Sequence, residues 1–362
     1  MTTRILTQLC SVPTAPFAEH FVVDYVKQFV AGRPRLRLSA DRFGNLLIEL
    51  PARSKSPRWV FTAHIDHPGC VAERMIDART LRAAFRGGVY MKFVRGAKVR
   101  FFEQTREIAG VIIDAGTSDK ERPEMPQWVT VRVKSPVQPG TPGMFDQGAG
   151  RTRGSRFYSR VCDDLAGAAA CLTMLDELLR KPPKTTVAVL LTRAEEVGFI
   201  GAMAAAVKPK LLRKTDRVIA IECSAAQSYA PQGGGATIRV GDRTSVFNSD
   251  LTYFISTEAA ALAKRDRRFT YQRALMPGGS CEGTAFDCFG YTAAAVCVPL
   301  GNYHNMDRDR GRIGPEYIDL NDWRSMTKLF VHLARRGHEW QPGHHLLKRR
   351  LEKSFAKLRG LL

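Results

Sequence analysis

The sequence has no apolar run long enough to cross a bilayer, which excludes a membrane-spanning helix. None of its eight cysteines forms a CxxC pair, which argues against a zinc knuckle and a disulfide scaffold. Cys162 and Cys223 stand beside carboxylates, yet a small hydrophobe packed under a site is the simpler reading. Neither an aromatic RNP sequence nor a paired Cys/His finger accompanies the net charge of +20, so nucleic acid is not expected as the primary partner. The first twenty residues lack an apolar core and a small-residue cleavage site, and a cytoplasmic location is the expectation. Internal repeats and long disordered linkers are also missing, so the 362 residues should form one large core plus a smaller module.

The chain opens on a helical apolar pattern over Thr14 to Val30 (Phe17, Phe21, Val22, Tyr25, Val26, Phe29, Val30), stopped by Gly32 and Pro34. LRLSADRFGNLLIEL then reads as two extended runs about a turn at Gly44 and Asn45, followed by the apolar run WVFTAH. Residues 71–157 change character. Short alternating runs (VYMKFV, AKVRFFEQ, EIAGVIID, WVTVRVK) are divided by Gly and Pro, which predicts a β-rich insert without a long helix.

Strand and helix alternate again over 158–340. The expected helices lie at Leu165 to Leu179, Gly201 to Val207, Asp250 to Lys264 and Pro315 to Arg335, and the strands at TTVAVLLT, RVIAIEC and TAAAVCVP. Continuous apolar strands between helices predict a mainly parallel α/β sheet covered by helices, split by the insert into segments 1–70 and 158–340. The end of the chain, 341–362, places Leu347, Leu351, Phe355, Leu358 and Leu362 on one stripe among Lys348, Arg349, Arg350, Lys353, Lys357 and Arg359. That spacing predicts a basic amphipathic helix, expected to dock on its own core or on a neighbouring subunit.

Chemistry enters where the strands end. WVFTA runs into His64 and Asp66, TTVAVLLT into Glu195 and Glu196, RVIAI into Glu222, and AAAVCVPL reaches His304. Ligands of open α/β sheets bind at the carboxyl ends of strands, so these segments are aimed at one rim, and RVCDDLAG adds Asp163 and Asp164 at a helix start. Alone, an HxD is a chance pairing, a DD is a helix cap and an EE is a solvated face. Together they would bury more negative charge than the fold tolerates unless cations neutralise it. Imidazole and carboxylate ligands suit Zn²⁺, with Co²⁺ and Mn²⁺ as alternatives. Two such ions sharing a carboxylate, about 3.5–4 Å apart, would favour hydrolysis.

These segments resemble, in order and across nearly the whole chain, the glutamyl aminopeptidase family of co-catalytic metallopeptidases, which includes the tetrahedral aminopeptidases. RFGNLLIEL looks like its D-x-x-G-N-l, TAHIDHPG its A-H-x-D-x-x-G, CDDLAGAA its D-D-R-x-G and TRAEEVGFIGA its E-E-v-G-x-x-G-A, while the His of GNYHN stands at its final His. The resemblance implies a zinc-peptidase-like catalytic domain carrying a dimerisation and access insert. It also implies two divalent metal ions per chain: one on His64 and Glu222, the other on Glu196 and His304, with Asp163 between them. Asp66 would fix the tautomer of His64, Glu195 would be the general base, and the Asp163–Asp164 peptide would be cis.

The chain departs from the pattern at Glu222, where the family has Asp, and at Leu165, where it has a basic residue. GGSCEGTAF matches a Gly-Thr-Asp segment only loosely, with Glu282 at the acidic position. The implied activity is removal of N-terminal residues from peptides by a homo-oligomer. The alternatives are a related carboxypeptidase or N-acyl amino acid deacylase, and a non-catalytic paralogue serving as a binding or assembly module.

Overall fold

The computed structural model describes residues 2–54 and 56–361. Its centre is four parallel strands in the spatial order Val187–Thr192, Trp59–His64, Arg217–Ala225, Thr292–Gly301. They read as unbroken apolar runs because helices cover both faces. Successive side chains alternate between the faces. Trp59, Phe61 and Ala63 join Val189, Leu191, Ile219 and Ile221 against the helices Leu165–Arg180, Ser249–Arg265 and Leu320–Arg336. Val60, Ala188, Leu190 and Val218 face the shorter helices Ile200–Val207 and Glu282–Cys288. Burying one such Leu or Phe contributes about 1.5–3 kcal/mol, so this doubly covered layer holds the site rigidly. Indole Nε1 of Trp323 donates to the Ala166 carbonyl at 2.8 Å, tying two of the covering helices together.

The sheet as a whole is mixed, which corrects the mainly parallel expectation. Leu46–Leu50 runs antiparallel to Val187–Thr192 and to Arg37–Ala40, and Glu316–Asp319 runs antiparallel to both Thr292–Gly301 and Arg156–Ser159. The cause is connection length. Arg37–Ala40 returns through the Asp41–Asn45 turn, with Gly44 at φ +87°, and Arg151–Arg153 returns through Gly154 at φ +60°; tight turns can join only antiparallel neighbours.

The insert closes into a six-stranded barrel of Gly69–Asp77, Thr80–Arg86, Lys98–Phe102, Glu107–Gly116, Trp128–Val133 and Pro142–Phe145, with its own core around Leu81, Phe85, Phe101, Ile112 and Val131. Closure removes exposed strand edges. Within it VYMKFV is not extended: Met91–Val94 forms one helical turn. At the start of the chain the helix occupies His20–Ala31, after a short Arg4–Leu9 helix that the apolar pattern did not reveal. Near the end, Glu316–Asp319 is a strand and the helix begins at Leu320, where the Asp319 carboxylate accepts the Asn321 N–H at 2.7 Å.

The terminal helix spans His345–Leu358 and none of its residues is buried, so it does not dock on its own core. Leu362, the last residue of its expected stripe, lies outside the described residues. No helix among the described residues is long and apolar enough to cross a membrane.

Candidate metal centre

Strand register sets the geometry. Thr192 lies beside His64 and Glu222 beside Cys297, so the residues leaving these four strands emerge at one carboxyl rim. His64, Asp66, Asp163, Glu195, Glu196, Glu222 and His304 all converge there. Nε2 of His64 is 3.5 Å from Asp163 Oδ1, 3.9 Å from Glu195 Oε2 and 4.0 Å from Glu222 Oε2. Across the cluster, Nε2 of His304 is 3.7 Å from Asp163 Oδ2 and 3.3 Å from Glu196 Oε2. Asp163 therefore turns one carboxylate oxygen toward each imidazole. The Asp163–Asp164 peptide is cis.

Both rings are oriented through their outer nitrogens. His304 Nδ1 lies 2.8 Å from the Gly88 carbonyl, contributed by the barrel, and His64 Nδ1 lies 3.2 Å from the Asp66 carbonyl. A ring that donates through Nδ1 presents Nε2 as a lone pair to the cluster. The nearest oxygen of the Asp66 carboxylate stands 3.6 Å from the same His64 Nδ1. It also accepts the N–H groups of Glu195 at 2.9 Å and Glu196 at 3.1 Å, so it fixes the turn that carries the two glutamates. That turn begins at Ala194 with φ 52°, which leaves adjacent N–H groups pointing at one acceptor. A left-handed alanine costs about 1–2 kcal/mol, and Glu19 offsets it by accepting the Ala194 N–H at 3.1 Å.

Some supporting residues were invisible to motif reasoning. Glu316, from the antiparallel strand Glu316–Asp319, accepts the N–H groups of Cys162 at 2.7 Å and Asp163 at 3.0 Å on one oxygen, and that of His304 at 2.8 Å on the other. His67 bridges the Asp163 carbonyl at 2.7 Å and the Asn305 side chain at 3.0 Å. Of these, only His67 had a sequence signal, its place inside HIDHPG. Glu282 lies beneath the rim, within hydrogen-bond reach of the hydroxyls of Thr62 and Thr192. Arg239 is buried beside Glu222 in a cleft also lined by Ser224, Met276, Gly279 and Tyr303, and its Nε has no hydrogen-bond partner.

The electrostatics show how concentrated the negative charge is. Burial pushes the Glu195 carboxyl well above its ordinary range, with the like charges of Glu222, Glu196 and Asp66 adding to it and His64 opposing. Glu222 is raised in the same way, by burial and then by Asp163. Burial draws the histidines down, but the surrounding carboxylates outweigh it. His64 ends well above its usual value and His304 is pushed up to about 9, chiefly by Glu196. Asp163 resists its own burial and is held low by His64, His304 and His67.

The donor set fits divalent cations. Asp163 Oδ1, Glu196 Oε1 and Glu222 Oε1 are buried without a hydrogen-bond partner, a costly state for carboxylate oxygens unless a cation takes them. Nitrogen and oxygen ligands at about 2.0–2.2 Å from a tetrahedral ion stand roughly 3.3–3.5 Å apart, close to the separations seen here. The triads His64/Glu195/Glu222 and His64/Asp163/Glu196 each bring ligand atoms within 4.8 Å of one another.

Residues 44–309 match the M42 glutamyl aminopeptidase family. The chain belongs to that family. It is a metal-dependent aminopeptidase, a hydrolase of the metallopeptidase class. No curated protein matches the chain.

Solved structures share the M42 fold. The TET1 peptidase of Pyrococcus horikoshii, described as able to assemble into a tetrahedron or a large octahedral shell, is 21% identical, with 91% of this chain and 98% of that one covered at a TM-score of 0.75. An aminopeptidase from the archaeon Desulfurococcus kamchatkensis is 20% identical over 92% of this chain and 94% of its own, TM-score 0.75. A TET aminopeptidase from a marine-sediment thaumarchaeote is 17% identical over 92% and 96%, TM-score 0.75. Within this M42 aminopeptidase the family match contains every carboxylate and imidazole of the cluster, whereas Glu316, which braces it, lies beyond residue 309.

Proposed function

We propose that this M42 aminopeptidase works with two divalent cations, one on His64 and Glu222 and one on Glu196 and His304, with Asp163 serving both. The observation that carries the reading is the placement of the two Asp163 oxygens, one 3.5 Å from His64 Nε2 and the other 3.7 Å from His304 Nε2. Zn²⁺ suits the donors first, with Co²⁺ and Mn²⁺ as alternatives. Cations held there would polarise the scissile carbonyl and acidify the attacking water.

The chain's own residues supply the rest of the chemistry. Glu195 reaches the same pocket as His64 from a backbone pinned by Asp66, and it retains slight exposure at 9%. Its raised proton affinity suits a group that takes the proton of the attacking water and returns it to the leaving amine. The Asp66 carboxylate positions Glu195 and Glu196 together, so one acceptor keeps the base in register with its neighbouring ligand. A free α-amine would be held by a carboxylate beside the cations, which makes the chain an exopeptidase acting on peptides.

Arg239 supports a finer reading, a preference for acidic N-terminal residues. A buried guanidinium with an unpaired Nε beside Glu222 favours a carboxylate in that cleft. By analogy with the shell-forming relatives we also propose a homo-oligomer.

The test is release of free amino acid from matched peptides with free and acetylated N-termini, after chelation and restoration of Zn²⁺, Co²⁺ or Mn²⁺. Cleavage of the free peptide alone supports the aminopeptidase reading. Cleavage of the blocked one would turn the assignment to a deacylase or carboxypeptidase.

A further inference from the structure

The C-terminal helix spans His345–Leu358. It lies beyond the family match, which ends at residue 309, and none of its residues is buried. The core helix Leu320–Arg336, by contrast, buries Leu320, Trp323, Met326, Leu329, Phe330 and Leu333. The terminal helix is nonetheless strongly two-faced. Leu347, Leu351, Phe355 and Leu358 recur at helical spacing and share one side, and Leu351 and Phe355 are each 60% exposed. The remaining surface carries Lys348, Arg349, Arg350, Lys353 and Lys357, with Arg359 just beyond the helix and Glu352 as the sole acid.

We propose that this helix lays the enzyme on anionic lipid bilayers, with the leucine and phenylalanine stripe sunk among the acyl chains and the basic side chains at the headgroups. Two observations favour a lipid surface over the other occupants. Pairing with the same helix of a second copy would set six basic residues and one acid against an identical set, which like-charge repulsion opposes without bearing on oligomer contacts elsewhere on the chain. A nucleic acid would satisfy the charge but would leave the apolar stripe in water. A bilayer with anionic headgroups answers both faces at once, and lysine and arginine stems can follow the apolar side down while keeping their charge in the headgroup layer. The helix is 14 residues long, enough to lie in the interface and too short to span it. The inference is independent of the metal-site assignments.

The experiment is co-sedimentation of the full chain with vesicles of phosphatidylcholine alone or mixed with phosphatidylglycerol. The full chain should pellet with the mixed vesicles and stay in solution with phosphatidylcholine, and raising the salt should weaken binding about tenfold or more. The double variant Leu351→Ser with Phe355→Ser keeps every charge and changes only exposed positions. It should lose binding by about tenfold or more, while hydrolysis of a small aminoacyl substrate and the melting temperature stay as in the parent. The proposal is overturned if the full chain ignores phosphatidylglycerol vesicles or if the double variant binds them equally well. Capture of a single-stranded RNA oligonucleotide in place of vesicles would assign the helix to nucleic acid. A smaller oligomer in the variant, with no vesicle binding by the parent, would assign it to contact between copies.

Discussion

Nδ1 of His304 lies 2.8 Å from the carbonyl oxygen of Gly88, so an imidazole of the catalytic layer is aimed by the barrel. A Cβ at Gly88 would stand 3.1 Å from that nitrogen and 3.2 Å from Cε1. Gly88→Ala must therefore push the ring by a few tenths of an ångström, away from its hydrogen bond and out of line with Glu196 and Asp163. We predict a 10–100-fold loss of metal affinity on that side with little change in melting temperature, the usual effect of disturbing a partner behind a ligand. Metal titration of the variant with unchanged affinity would show that the barrel does not orient the site.

Arg239 yields a prediction on substrate choice. Arg239→Met keeps the bulk of the side chain and removes the charge, so the ratio of kcat/KM for glutamyl over leucyl substrates should fall by about tenfold or more. The net charge of +20 also draws acidic peptides, but salt screens that contribution and leaves a buried contact in place. Measuring the ratio at low and high ionic strength separates the two. A preference that disappears with salt in the parent, and is unaffected by the substitution, would assign selectivity to the surface.

The four parallel strands were legible because they are buried on both faces and read as plain apolar runs ending in polar residues. The convergence of the seven candidate residues on one rim was legible for the same reason, since each follows such a run or opens the adjoining helix. What the sequence concealed depends on distant pairing. Glu316 stands in GPEYID with no motif around it, and only antiparallel pairing with Thr292–Gly301 brings its carboxylate under Cys162, Asp163 and His304. The family resemblance implies a bond from Asp66 to the histidine two residues before it and says nothing of its other partners. Its carboxylate also takes two N–H groups about 130 residues away. The antiparallel flanks and the closure of the barrel were hidden because alternation marks a strand but not its partner.

Glu258 provides a pH dependence outside the site. It joins the helices Ser249–Arg265 and Leu320–Arg336 through His332 at 2.8 Å and the more exposed Arg336 at 3.3 Å. Burial would raise its carboxyl, but the hydrogen bond from His332 and the charge of Arg336 outweigh that and hold it below the usual range. A value lower in the folded than in the unfolded chain means stabilisation that is present above the unfolded value of about 4.3 and is lost as pH falls through the folded one. Glu258→Gln should therefore cost about 1–2 kcal/mol at neutral pH, with the half-exposed Arg336 contributing little, and progressively less as acid protonates the folded carboxylate. Urea midpoints of parent and variant across that range check the sign. A gap that widens in acid would contradict it.

The proposed division of labour between adjacent glutamates is tested most directly by Glu195→Gln, with turnover and bound metal measured on the same sample. Glutamine keeps the size and a hydrogen-bonding group but cannot accept the proton of the attacking water. Turnover on aminoacyl substrates should fall by about two to four orders of magnitude, while metal content should match that of the parent. Glu196→Gln serves as the control, losing metal first and regaining part of its activity in excess metal. A Glu195→Gln enzyme that hydrolyses at close to the parental rate, or that loses its metal along with its activity, would contradict the account.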